Sequence, residues 1–174
     1  MQVFSMHSRV RQFRRAVLAG LCLLLALPLT AAAADLMQYE LRSLDRAGSE
    51  DALDIYRGTP TLMIFFEPEC AWCLRQMRVL NKLVDECENF QALAIGANGT
   101  RSDLLSTLNR MRPDFPSYQI SRQLEADIGK VETTPLMLIA DDHGEFVTHM
   151  RGYQKEEILV PALQEFIPGY CGQP

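Results

Sequence analysis

Cys70-Ala71-Trp72-Cys73 sets two thiols three residues apart, just after the apolar run Thr61–Phe66. Two sulfurs at that spacing can close a small disulfide ring with little backbone motion. If a strand feeds a helix at this point, the first thiol sits at the helix N-terminus. The partial positive charge there stabilises a thiolate and makes it a nucleophile. The chemistry these residues could do is dithiol–disulfide exchange. A structural zinc site is the other use of such a pair, but no second Cys-x-x-Cys or Cys/His pair supplies the remaining ligands, and no metal is expected.

The 34 residues before the folded part read as an address. Arg9, Arg11, Arg14 and Arg15 make a basic start with no acidic residue, Ala16–Leu29 is almost wholly apolar, and Ala32-Ala33-Ala34 precedes Asp35. This is the pattern of a cleavable secretory signal, with cleavage expected near Ala34 and a periplasmic or otherwise exported destination. Its apolar stretch is short for a membrane span. Leu18–Cys22 falls short of a lipoprotein box because Leu21 stands where a small residue is needed, so Cys22 is expected to leave with the leader.

Residues 35–174 then form one domain, long enough for a real core and too short for two. The leader removes four of the 17 basic residues and none of the 22 acidic ones, which leaves a net charge of −9. That balance argues against nucleic acid or anionic lipid as a partner. Four cysteines remain, an even number suited to an oxidising compartment.

The elements that must position the dithiol are legible as periodicities. Met37, Tyr39 and Leu41 alternate and suggest a short strand, Arg46-Ala47-Gly48 a turn, and Ala52–Tyr56 a helical turn. Thr61–Phe66 is continuously apolar, as in a strand buried on both faces. After Cys70 the period becomes helical, with Cys73, Met77, Leu80, Val84 and Cys87 on one face and an end near Glu88. Phe90–Gly96 is the next strand, and a right-handed crossover makes the pair parallel. Ser102 is expected to cap a helix carrying Leu104, Leu105, Leu108 and Met111, stopped by Pro113; Phe115–Ile120 is extended, and Ser121 caps a helix ended by Gly129. Leu136–Ala140 and Phe146–Met150 form an antiparallel pair about Asp142-His143-Gly144, and Gln154–Phe166 is a last helix in which Pro161 predicts a kink or restart.

This order, with Cys70-x-x-Cys73 after a buried strand and Thr134-Pro135 before another, resembles the thioredoxin fold. The extra N-terminal strand and the helix–strand insertion at Ser102–Ile120 resemble the TlpA/ResA/DsbE-type redoxins in particular, over about residues 36–168. The resemblance implies a three-layer α/β/α domain with a mixed central sheet. It implies an exported thiol–disulfide oxidoreductase in which Cys70 attacks and Cys73 resolves, with no cofactor. Pro135 would be a cis-proline facing the disulfide, and Gly152 matches the small residue after the last strand. Thr134 and Pro135 would pair with an extended substrate segment, while Trp72 contacts the partner. Protein disulfides are the implied substrates and a membrane electron donor the implied reductant. Two carboxylates common in such proteins are absent: Ile64 stands where many thioredoxins have Asp, and Gln76 where TlpA/ResA-type proteins often have Glu. Glu67 and Glu69 are nearby in sequence and are expected to be solvated.

Cys87 lies 14 residues after Cys73 on the same predicted helix, roughly 21 Å along its axis, out of reach of the active pair. In a thioredoxin-like fold that helix and the last one end side by side, so the resemblance implies a structural Cys87–Cys171 disulfide. The favoured expectation is reduction of specific protein disulfides; oxidation or isomerisation is the nearest alternative. Copper handling by the dithiol with His143 or His149 and a binding module with an inert dithiol are the readings from other classes. Related copper-delivery proteins use Cys-x-x-x-Cys, however, and His143 falls in a turn. No dimerisation element stands out.

Overall fold

The computed structural model describes residues 33–46 and 48–171; the leader reading and Cys22 fall outside them, as does residue 47 of the expected turn. Among the described residues no helix is long and apolar enough to cross a membrane.

Thr61–Phe66 forms strand β3, following the short strands β1 (Glu40–Ser43) and β2 (Glu50–Ala52) and a 3-10 turn at Leu53–Tyr56. It is buried along its whole length. Because side chains alternate across a strand, the run divides its apolar load. Leu62, Ile64 and Phe66 enter one core cluster, and Met63 and Phe65 enter the other. Helix α1 (Ala71–Glu86) follows, then β4 (Gln91–Gly96), α2 (Arg101–Met111), β5 (Ser117–Gln119), α3 (Arg122–Ile128), β6 (Leu136–Ala140), β7 (Phe146–Arg151) and α4 (Glu156–Phe166).

The seven strands are ordered β2-β1-β5-β4-β3-β6-β7. β3–β4 and β4–β5 pair in parallel, and every other neighbour is antiparallel. Cys73, Met77 and Leu80 of α1, Leu104 and Leu108 of α2, and Leu159 and Leu163 of α4 cover one sheet face. Leu124 of α3, Leu53 and the segment carrying Leu36, Met37 and Tyr39 cover the other. The result is a three-layer α/β/α domain with a mixed sheet, as expected. The insertion, α2 with β5, widens the sheet and gives β1 its inner neighbour.

Several local expectations shift. Met37 and Tyr39 are buried, but the strand begins only at Glu40. Helix α2 starts earlier than Ser102 suggested: Thr100 is the cap, its hydroxyl accepting the Asp103 N–H while the Asp103 carboxylate accepts the Thr100 N–H. This reciprocal pair satisfies two free donors of the helix end, which a Ser102 cap could not do with Leu105 three residues on. Ser121 does cap α3, through the Leu124 N–H at 3.2 Å. Pro161 lies within a single helix, α4, without a restart. That helix begins at Glu156 rather than Gln154, and Pro161 falls in its second turn, where it removes one hydrogen bond.

The Thr100 hydroxyl and N–H hold the Asp103 carboxyl below its ordinary value of 3.8. A group depressed by folding stabilises above its unfolded pKa and loses that contribution as pH falls through the folded value. Asp103→Asn is therefore expected to lose less stability than wild type between pH 5 and pH 3, read from urea midpoints. Equal losses in the two proteins refute the assignment.

Candidate active site

β3 delivers the chain to Glu67-Pro68-Glu69, where Glu69 adopts φ 61°, and Cys70 becomes the N-cap of α1. A disulfide joins Cys70 to Cys73, with Cα atoms 5.2 Å apart. The two sulfurs are not equivalent: Cys73 is fully buried in the core under α1, whereas Cys70 is half-buried at the helix start. The Cys70 sulfur accepts the Cys73 N–H at 3.0 Å. The first turn of α1 carries no acidic residue. A thiolate at position 70 would thus meet a backbone donor and the positive end of a 16-residue helix. Ile64 is fully buried in the same cluster as Cys73, so this flank of the pair is apolar.

The β3–β6 register brings a second loop alongside. Phe65 faces Leu136, and continuing the antiparallel pairing sets Pro135 beside Phe66 and Thr134 beside Glu67. The Thr134–Pro135 peptide bond is cis, Pro135 is buried and Thr134 half-buried. Glu67 is half-buried and hydrogen-bonded, where a solvated side chain was expected. Its carboxylate accepts the Thr134 hydroxyl at 2.8 Å and the Asn98 side-chain amide at 3.1 Å. The reason is non-local: β4 and β6 flank β3 on opposite sides, and each offers a donor just past the strand end. Glu69 is exposed, as expected.

Trp72 is 53% exposed beside the disulfide. Its ring stacks on Tyr153 with centroids 5.6 Å apart, and the Arg75 guanidinium lies 4.5 Å from the ring centroid. Tyr153 follows β7, in a loop fastened twice. Gly152, at φ 75°, donates its N–H to the Pro135 carbonyl at 2.8 Å, and the Gln76 side-chain oxygen accepts the Gln154 N–H at 2.7 Å. Gln76 is fully buried, and its amide nitrogen has no partner among the described residues. At this position the side chain ties α1 to the β7–α4 loop. On the other side of Cys70 a recess of about 170 Å³ opens between Ala71 and Leu74 of α1 and Thr107, Arg110 and Met111 of α2.

Cys87 is the C-cap of α1, at the far end from Cys70, and a disulfide joins it to Cys171. Phe90 and Tyr170 pack edge to face beside that bridge, 5.5 Å between centroids. His143 is exposed in the β6–β7 turn and His149 on the edge strand β7. Among the described residues no group of three His, Cys, Asp or Glu side chains gathers for a metal.

Sequence reasoning missed Glu67, Gln76 and Tyr153 as parts of this site. Only Tyr153 had a local signal, as an aromatic directly after Gly152. The other two acquire partners from residues 67 and 78 positions away.

No protein-family model and no curated protein matches this sequence. Solved structures do match in shape. A putative thiol:disulfide interchange protein DsbE from Chlorobium tepidum aligns with TM-score 0.67 at 17% identity, covering 81% of this chain and 98% of that one. A secreted Mycobacterium tuberculosis disulfide oxidoreductase homologous to E. coli DsbE gives 0.64 at 14%, over 76% and 99%. The pneumococcal exposed lipoprotein thioredoxin Etrx1 gives 0.62 at 19%, over 73% and 98%. At these identities the likeness establishes the fold, and the fold is that of thioredoxin.

Proposed function

We propose that this chain is an exported protein thiol–disulfide oxidoreductase that reduces particular protein disulfides. The observation that carries the reading is the asymmetry of the Cys70–Cys73 pair: one half-exposed sulfur at a helix N-cap, one buried sulfur behind it. In the reduced protein the Cys70 thiolate attacks one sulfur of a substrate disulfide. A mixed disulfide forms and the other substrate sulfur leaves as thiolate, taking a proton. Cys73 loses its proton and attacks Cys70 Sγ, the mixed disulfide breaks, and the second substrate thiol departs. The two electrons that reduce the substrate are those lost as Cys70 and Cys73 become a disulfide. A donor thiol must return them, and we assign that role to a membrane electron donor.

Cys70, Cys73, Trp72, Thr134 and Pro135 make up the proposed site. Thr134 offers main chain to an extended segment as an added strand, and Trp72, braced by Tyr153, offers a flat anchor of large area and little rotational freedom. Cys87 and Cys171 are assigned a structural role. Export rests on the basic–apolar–small pattern of residues 1–34. The secreted and exposed neighbours agree with it.

Direction follows how heavily the Cys70 thiolate is stabilised, since strongly oxidising dithiols owe their potential to that stabilisation. In the disulfide the Cys70 sulfur receives one N–H, Arg75 lies over Trp72, and Arg110 lines the recess beside Cys70. The test is the Cys70/Cys73 potential measured against glutathione. We expect a value toward that of thioredoxin, about −270 mV, and a value near −120 mV would reverse the assigned direction.

A further inference from the structure

We infer that Glu67 is a positioning residue for substrate binding: its carboxylate clamps Thr134 so that the Thr134 main chain is presented for pairing. The inference rests on the exchange function proposed above and deepens it. Glu67 directly follows β3, and its two oxygens take different partners. One accepts the Thr134 hydroxyl at 2.8 Å and the other the Asn98 amide at 3.1 Å, and the same Asn98 nitrogen lies 3.2 Å from the Val131 carbonyl. An ionised carboxylate only accepts, so both neighbours must donate and the Thr134 hydroxyl is fixed in direction. Bonds to a charged acceptor are shorter and stronger than neutral ones. One side chain thereby joins the turn before Cys70, the loop after β4 and the loop before Pro135.

The clamp takes hold of Thr134 by its side chain alone. Among the described residues neither the N–H nor the carbonyl of Thr134 makes a main-chain hydrogen bond, because the β3–β6 ladder stops at Leu136. A half-buried residue with a fixed side chain and unused backbone groups next to the dithiol is an open place for one more strand. Without the clamp, ordering that segment has to be met from binding energy, and affinity for an extended substrate falls.

The experiment compares wild type with Glu67→Ala, Glu67→Gln, Thr134→Val and the Glu67→Ala/Thr134→Val pair, all as the full mature domain. Reduction of insulin serves as the extended substrate, and 5,5′-dithiobis(2-nitrobenzoic acid) as a disulfide with no main chain to pair. Glu67→Ala and Thr134→Val should each raise the insulin KM roughly tenfold with kcat little changed, as for one lost charge-assisted bond. The pair should be no worse than either alone, since both break one contact. In both single variants, Glu67→Ala and Thr134→Val, the ratio of insulin to small-disulfide kcat/KM should fall roughly tenfold, and in Glu67→Gln the Cys70/Cys73 potential should stay at the wild-type value. Glu67→Gln can accept from Asn98 and donate to Thr134, so it should recover KM to within about twofold.

An unchanged insulin KM in folded Glu67→Ala or in Thr134→Val overturns the inference. So does an equal loss with both substrates, or a shifted potential in Glu67→Gln, which would mean that the charge acts on the sulfurs instead. If Glu67→Ala does not fold, Glu67→Gln and Thr134→Val decide the matter by the same criteria. A wild type inert toward both disulfides overturns the exchange function itself, a result distinct from any variant's failure.

Discussion

Cys70→Ser is expected to lower turnover of a protein disulfide to the uncatalysed background, a loss of at least about 10³-fold, with the fold intact. The hydroxyl neither ionises near neutral pH nor forms the covalent sulfur bond on which exchange depends. Little of the fold rests on this sulfur, which is half-buried at the start of α1 and lies at the edge of the core cluster. Cys73→Ser should fail differently. Cys70 still attacks, but nothing resolves the mixed disulfide, so one equivalent of substrate accumulates in covalent linkage and turnover stops after a single event. Non-reducing electrophoresis separates the two outcomes. Appreciable turnover by Cys70→Ser, or no trapped adduct with Cys73→Ser, would contradict the assignment of attacking and resolving sulfurs. The adducts captured in this way also identify the natural substrate.

The second large effect is on stability. Cys87→Ser/Cys171→Ser removes a cross-link that spans 84 residues and joins the end of α1 to the segment after α4. By the loop-closure relation a bridge of that span restricts the unfolded chain by about 4.5 kcal/mol. In a domain of this size the loss corresponds to a melting point lower by roughly 15 °C. Because the change acts through the unfolded state, the denaturant slope should rise along with the fall in midpoint. The Cys70/Cys73 potential should not move, since α1 separates the two disulfides by about 24 Å, its 16 residues rising 1.5 Å each. A midpoint equal to wild type would show that the bridge contributes nothing to stability. A displaced potential would show that the two disulfides are coupled.

How much of this could be read along the chain depended on the range of the forces involved. Thr61–Phe66 could be placed from composition because a strand covered on both faces needs apolar side chains at every position, and the two clusters show each face filled in turn. Cys70 could be placed at a helix start because the period changes there. By contrast β2, the sequence Glu-Asp-Ala, has no strand propensity to find; it is a strand because β1 pairs with it residue by residue. The cap of α2 lay at Thr100 because Asp103 completes the reciprocal bonds, a pairwise signal that a single serine at 102 obscured.

The sequence alone determined that two sulfurs would stand at the mouth of a helix behind a buried strand, since spacing, periodicity and burial there are local properties of neighbouring residues. Only the tertiary structure decided what surrounds those sulfurs. Glu67 reads as a solvated acid until the β3–β6 register sets Thr134 against it, and Gln76 reads as an ordinary helix residue until the loop after β7 folds over it. The physical reason is that hydrogen-bond partners 67 and 78 residues apart are chosen by how strands align and loops close, and no periodicity along the chain encodes that choice.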